Sequence, residues 1–173
     1  MSTVGILGAN GRMGRALVSV AKEHNLPITA ATVRAGSALT GMDAGELAGC
    51  GKLNLPFIET CVAALDSADI WIDFTMPDAM LQHLNLAVQA KKALVIGVTG
   101  LTDSQYAAVQ QAAKHIPIVW APNMSVGVNL LLHLVQTAAK VMGQTADIEI
   151  IEAHHRFKKD SPSGTAMAIG HQI

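Results

Sequence analysis

The chain is poor in the residues that mark several protein classes. It has two cysteines, Cys50 and Cys61, in 173 residues. That is too few, without framework spacing, for a disulfide scaffold, and it fits a reducing compartment. Three Phe, two Trp and one Tyr offer no aromatic platform for stacking bases, and no nucleic-acid-binding motif is present. Only 14% of residues are charged, and the net charge is −1. The chain as a whole is therefore not drawn to nucleic acid or to an anionic membrane, and any affinity for anions must be local. No apolar run approaches the roughly 20 residues needed to span a bilayer. Met1-Ser-Thr-Val-Gly5 has no basic region ahead of its apolar residues, so no signal peptide is expected. These absences together predict a cytoplasmic protein without membrane or nucleic-acid partners.

What is present is enough apolar material for a good core, since half the residues are hydrophobic. Thr3–Leu7 reads as a buried parallel strand. It runs into Gly8-Ala-Asn-Gly11-Arg-Met-Gly14, after which helical spacing continues to Glu23. A second strand is expected at Ile28–Val33. From Arg34 to Phe57 the chain is a glycine-rich connection with only a short helical turn near Asp43–Ala48, long enough to suggest function or mobility. Further strands are expected at Asp69–Phe74, Leu94–Val98 and Ile116–Trp120. Pro77 suits the first turn of a helix continuing over Ala79–Ala90. Thr102-Asp-Ser-Gln105 has capping-box form and opens a helix to about His115. A long apolar helix over Val128–Met142, a strand over Asp147–His155 and a helix from Ser163 complete the pattern. Ala166–Ile173 looks like a helix cut off in mid-run, which suggests an N-terminal portion of something longer. Strands alternating with helices predict an α/β fold built on a Rossmann-like parallel sheet.

Two stretches carry chemistry. Glycines in Gly8–Gly14 permit a tight turn and let the backbone approach a pyrophosphate, which then rests on the amides of the helix beginning near Gly11. The first two glycines stand further apart than in the usual dinucleotide fingerprint, yet the flanking strand and helix are both present. Gly8, Ala9, Asn10, Gly11, Arg12 and Met13 are therefore the expected cofactor residues; a turn needing glycine only for packing is the alternative. The second strand ends in Ala31-Thr-Val-Arg34 with no carboxylate to accept a ribose 2′-OH. Arg34 and Arg12 stand near enough for a 2′-phosphate, so NADPH should serve at least as well as NADH. Three strand ends, Phe74-Thr-Met-Pro77, Gly97-Val98-Thr99 and Ala121-Pro122-Asn123-Met124, should wall the ribose and nicotinamide.

The second stretch is Glu152-Ala-His-His-Arg-Phe-Lys-Lys-Asp-Ser-Pro-Ser-Gly-Thr-Ala166. Two imidazoles, three cations and a Ser163 N-cap with outward amides suit a small substrate bearing carboxylates or phosphates. A solvated basic loop is the plain alternative. His154 and His155, adjacent on a strand, would face opposite ways and make a poor metal pair, so no metal site is expected. The solitary His24, His83, His115, His133 and His171 read as surface or satisfied core residues.

This stretch closely resembles the signature of the bacterial 4-hydroxy-tetrahydrodipicolinate reductases, known earlier as dihydrodipicolinate reductases. Gly8-Ala-Asn-Gly-Arg-Met-Gly14, Asp43-Ala-Gly-Glu-Leu-Ala-Gly49, Asp73-Phe-Thr75 and Asn123-Met-Ser-Val-Gly-Val-Asn129 resemble the same family, in the same order. The resemblance implies an NADPH- or NADH-dependent reduction in the diaminopimelate route to lysine, acting on a small heterocyclic dicarboxylate. By it, His154 donates or accepts a proton and Lys158 donates one, while His155, Lys158, Ser163, Gly164 and Thr165 meet substrate. It also implies a dinucleotide-binding domain over residues 1–125, the beginning of an α+β substrate and oligomerisation domain over 126–173, and a homotetramer. Many relatives carry an acid where this chain has Val33 and a base where it has Met76. A cofactor-binding module without catalysis, or a dehydrogenase of another small carboxylate, are the competing readings.

Overall fold

The computed structural model describes residues 1–156 and 161–173. It divides into two compact units, Met1–Trp120 and Ala121–Ile173. In the first, β1 (Val4–Leu7), β2 (Ile28–Val33), β3 (Phe57–Glu59), β4 (Ile70–Asp73), β5 (Ala93–Ile96) and β6 (Ile118–Trp120) form one sheet in the order β3-β2-β1-β4-β5-β6. Every pairing is parallel. This is the Rossmann strand order, with its reversal between β1 and β4. The connecting helices are α1 (Arg12–Glu23), α2 (Ala44–Ala48), α3 (Val62–Leu65), α4 (Pro77–Ala90) and α5 (Asp103–Ala112).

Parallel strands covered on both faces read as unbroken apolar runs, and here they bury two cores. One gathers Leu7, Leu65, Trp71, Met80, Leu84, Leu94 and Ile96. The other gathers Ile6, Val18, Ala31, Val33, Leu55 and Phe57. Gly5 pairs with Trp71 across β1 and β4, and a Cβ there would lie 2.6 Å from the indole. The missing side chain makes room for the ring, whose Nε1–H donates to Leu65 O at 3.0 Å.

Pro77 occupies the first turn of α4, and the capping box at Thr102 and Gln105 is formed as expected. The connection after β2 is more ordered than its composition suggests. It contains α2, capped by Asp43, and ends in a short strand, β3, that the apolar spacing did not reveal. Three residues are too few to establish an alternation; β3 exists because Phe57 finds Ala31 in β2. The same holds for α3, a single turn. The Asp43 carboxylate accepts from Glu46 N at 3.0 Å, Leu53 N at 3.1 Å and Leu55 N at 2.9 Å. Partial burial pulls this carboxyl up, but the amides of Leu53, Glu46, Leu55 and Gly45 outweigh it and hold its pKa below the ordinary aspartate value.

The second unit holds α6 (Val126–Met142) and α7 (Gly164–Gly170). The strand expected over Asp147–His155 does not form. A strand needs a neighbour to take its backbone hydrogen bonds, and this unit has no other strand among its described residues. The expected helical run to Ile173 stops at Gly170, with His171 as its C-cap. No helix among the described residues is long and apolar enough to cross a membrane.

Candidate functional site

Ligands of open parallel sheets gather at the carboxyl ends of the strands where the order reverses. A crevice of about 280 Å³ opens at that point, lined by Leu7, Gly8, Asn10, Gly11, Arg12, Met13, Gly14 and, from the end of β4, Phe74, Thr75 and Met76. β1 stops at Leu7 because Gly8 turns with φ +62°, a conformation costly to other residues. Gly11 N–H then donates to Gly8 O at 3.0 Å, and Ala9 N–H to Thr32 O at 2.9 Å. A Cβ on Gly8 would lie 2.5 Å from Thr75 Cγ2, and one on Gly14 would lie 2.5 Å from Ala9 Cα. The first glycine therefore lets the β4 turn come close, and the last lets α1 press against its own loop.

Two long helices begin at this crevice, α1 behind Gly11 and α4 behind Met76, and neither has a side-chain cap. By contrast α5 and α6 are capped by Thr102 and Ser125. Uncapped first-turn amides at the positive end of a helix are suited to phosphate oxygens. A glycine-lined crevice with two such helix starts fits the pyrophosphate of a dinucleotide.

The wall carrying Thr75 is held by a buried pair. Asp73, fully buried at the end of β4, accepts at Oδ1 from Thr75 N (2.8 Å) and Thr75 Oγ1 (2.6 Å). Its Oδ2 lies 2.7 Å from Nδ1 of His83 in α4. With the carboxylate as acceptor, Nδ1 carries the hydrogen. The solitary His83 is thus a satisfied core residue, and it braces the crevice.

The remaining expected cofactor residues are not among those lining this crevice. Ala9 is buried behind the loop. Arg34 is exposed just beyond β2. Gly97, Val98 and Thr99 follow β5 and are not among the crevice-lining residues. Gly97 N–H donates to Asp73 O at 2.8 Å, and a Cβ on Gly97 would lie 2.0 Å from the Phe74 ring, so this glycine seats a wall residue. Val98 O accepts from Trp120 Nε1 at 3.1 Å. Ala121, Pro122, Asn123 and Met124 open the second unit, where Asn123 Oδ1 accepts from Ser125 N at 2.8 Å and its Nδ2 donates to Thr165 Oγ1 at 3.4 Å. Phe74, Thr75 and Met76, expected from the sequence as a strand end forming a wall of the site, do line the crevice. Asp73 and His83 gave no joint signal, being ten residues apart.

In the second unit, Ser163 Oγ caps α7 by accepting from Ala166 N at 3.0 Å. Its own N–H, expected to be open to an anion, donates instead to Glu152 Oε1 at 2.8 Å. Glu152 Oε2 is 3.4 Å from His154 Nδ1, so one carboxylate joins His154 to the start of α7. Beside it a crevice of about 310 Å³ is lined by Ile150, Glu152, Ser161, Pro162, Ala166 and Met167. Gly164 and Thr165 form the first turn of α7, and His155 is exposed. Lys158, the expected proton donor, lies outside the described residues.

Comparison with known proteins agrees with this geometry. Residues 2–124 match the family model for the N-terminus of dihydrodipicolinate reductase, and residues 127–173 match that for its C-terminus. A 4-hydroxy-tetrahydrodipicolinate reductase from Pseudoalteromonas atlantica is 55% identical over 174 residues, covering 100% of this chain and 65% of its own length. Its counterpart in Acinetobacter baumannii is 49% identical over 170 residues, covering 98% and 62%. The chain thus spans a little under two thirds of the length of these curated relatives. Among solved structures, dipicolinate-bound dihydrodipicolinate reductase from Paenisporosarcina sp. aligns with a TM-score of 0.74 at 28% identity, covering 100% of this chain and 65% of that one. Aspartate semialdehyde dehydrogenase with NADP from Candida albicans aligns at 0.52 with 17% identity over 69% of this chain and 42% of that one, a likeness of fold alone. Both family models match in chain order and together cover nearly every residue; the chain belongs to the dihydrodipicolinate reductase family.

Proposed function

We propose that the chain supplies the nucleotide site and the proton-transfer segment of an NADPH- or NADH-dependent 4-hydroxy-tetrahydrodipicolinate reductase in the diaminopimelate route to lysine. The observation that carries this reading is the glycine-lined crevice at the β1/β4 reversal, where two helix starts lack side-chain caps. Residues 1–125 serve as the dinucleotide-binding domain, and 126–173 begin the substrate and oligomerisation domain. Gly8–Met13 hold the pyrophosphate, Arg34 and Arg12 attract a 2′-phosphate, and Gly97–Thr99 with Ala121–Met124 flank the ribose and nicotinamide. When bound, the reduced nicotinamide supplies a hydride. Reduction of the hydroxylated ring by that hydride and one proton, with loss of one water, gives tetrahydrodipicolinate.

The second unit supplies the proton and grips the substrate. Glu152, 3.4 Å from His154 Nδ1, orients the imidazole so that Nε2 is the nitrogen that exchanges a proton. Lys158 protonates the ring-nitrogen side, where hydride addition builds negative charge. His155, Lys158, Gly164 and Thr165 take the two carboxylates, while Ser163, committed to Glu152 and to the cap of α7, holds the turn that presents them. Relatives that carry the reductase name at 55% and 49% identity, and a solved relative holding dipicolinate, a pyridine dicarboxylate, support this choice of substrate. The resemblance also supports a cytoplasmic homotetramer, which light scattering on the purified protein tests.

The activity is tested by adding NADPH and freshly made synthase product and following absorbance at the nicotinamide band. Consumption supports the reductase. Cofactor binding with no consumption favours a module that only senses the nucleotide. Lys158→Ala should cut turnover about a hundredfold or more with little change in cofactor affinity. An equal loss in both contradicts its role as proton donor.

A further inference from the structure

In nucleotide folds of this order, the acid that selects NADH stands at the end of the second strand. Here that position is Val33, which is fully buried in the core, and the exposed Arg34 follows it. The neighbouring strand brings a carboxylate to the same corner. Val33 pairs with Glu59, so the two backbones run about 4.8 Å apart there. Glu59 Oε1 accepts from Gly36 N at 2.9 Å. Gly36, at φ +70°, sits in a turn closed by Ser37 N–H donating to Arg34 O at 3.2 Å. The end of β3 is tied to the end of β2 by Thr60, whose N–H donates to Val33 O at 2.9 Å. The Thr60 hydroxyl also lies 3.0 Å from Val33 O and 2.9 Å from Thr32 Oγ1. Glu59 therefore comes from a fixed backbone and anchors one oxygen on the turn that carries Arg34. Among the described residues, no hydrogen bond or ion pair engages its Oε2.

We infer that Glu59 is the specificity-determining residue for the adenosine ribose. Reaching across from β3, its carboxylate replaces the acid that β2 lacks: it accepts the 2′-OH of NADH and repels the 2′-phosphate that Arg34 attracts. The two side chains form an opposed pair, which keeps NADH competitive at a corner where Arg34 would otherwise favour NADPH. This rests on the reading of Gly8–Gly14 as the nucleotide site.

Glu59→Gln is the informative variant. It keeps the shape of the side chain and an oxygen to accept the Gly36 amide, while it removes the charge and turns the outward acceptor Oε2 into an amide donor. Dissociation constants of the whole chain for NADH and NADPH, from nicotinamide fluorescence, give the preference ratio. ADP and adenosine 2′,5′-bisphosphate repeat the comparison without the nicotinamide half. Neutralising Glu59 removes a charge-assisted hydrogen bond, about twice as strong as a neutral one. NADH should bind about fivefold more weakly and NADPH no worse, so the ratio moves about fivefold or more toward NADPH. Arg34→Ala should move it in the opposite direction. A Glu59 that merely pins the turn predicts an unchanged ratio in Glu59→Gln, and a shift under about twofold overturns the assignment. Should the wild-type chain bind neither dinucleotide, the nucleotide-site reading falls and this inference with it. Binding of both with an unmoved ratio sinks the inference alone.

Discussion

Leucine in place of His83 leaves the buried Asp73 carboxylate without the partner that lies 2.7 Å from its Oδ2. Removing one member of a buried pair costs about 3–5 kcal/mol, because the charge that stays behind has lost its compensation. Asp73 keeps the amide and hydroxyl of Thr75 on Oδ1, which puts the loss near the low end, about 3 kcal/mol. For a chain of this size that corresponds to a fall in melting temperature of about 10 °C. His83→Asn restores a donor close to the position of Nδ1 and should recover about half of that fall. The double variant Asp73→Leu/His83→Leu should lose less than the sum of the two single variants, since it leaves no orphaned charge. Thermal melts by circular dichroism at neutral pH provide the assay. A melting point within about 2 °C of wild type for His83→Leu, or equal losses for Leu and Asn, would refute the idea that the pair braces the crevice.

Two further expectations concern glycines and acid. Gly14→Ala, whose Cβ would meet Ala9 Cα at 2.5 Å, should destabilise by about 2–3 kcal/mol and weaken nucleotide binding. Gly100→Ala has a positive φ but nothing within 4 Å of the new atom, so it should cost only about 1 kcal/mol, as paired denaturant titrations would reveal. Asp43 has a lowered pKa in the fold, so its contribution is complete above the ordinary aspartate value of about 3.9 and disappears as pH falls through the folded value. The stability gap between wild type and Asp43→Asn should therefore be widest near neutrality and close below about pH 4. A gap constant across melts from neutral to acid pH would contradict the amide-bound carboxylate. Asp69, lowered by the Thr3 amide and hydroxyl, shifts the acid limb in the same direction.

Features governed by neighbours a few residues apart are legible in the chain's spelling alone. The Gly8–Gly14 turn between strand and helix, the limits of β2, Pro77 in the first turn of α4 and the Thr102–Gln105 box all follow from backbone geometry and local capping. The parallel sheet follows from the alternation of apolar runs with helical spacing. Patterns that are short, or that need a distant partner, are not legible in this way. β3 and α3 are too brief to show a period. The apolar residues of Asp147–His155 suit a strand, yet the described residues of their unit provide none to pair with.

The sequence by itself determined the α/β class, the glycine turn and its likeness to one family, because those depend on steric limits and spacings written along a single stretch of chain. Tertiary structure alone decided the strand order and the relationships that follow from it. Asp73 meets His83, and Glu59 meets Gly36, because α4 packs beside β4 and β3 docks on β2. No local rule states which strand will be the neighbour of which. That choice comes from burying both faces of the sheet at once, and it brings a carboxylate from β3 to the corner where β2 has none.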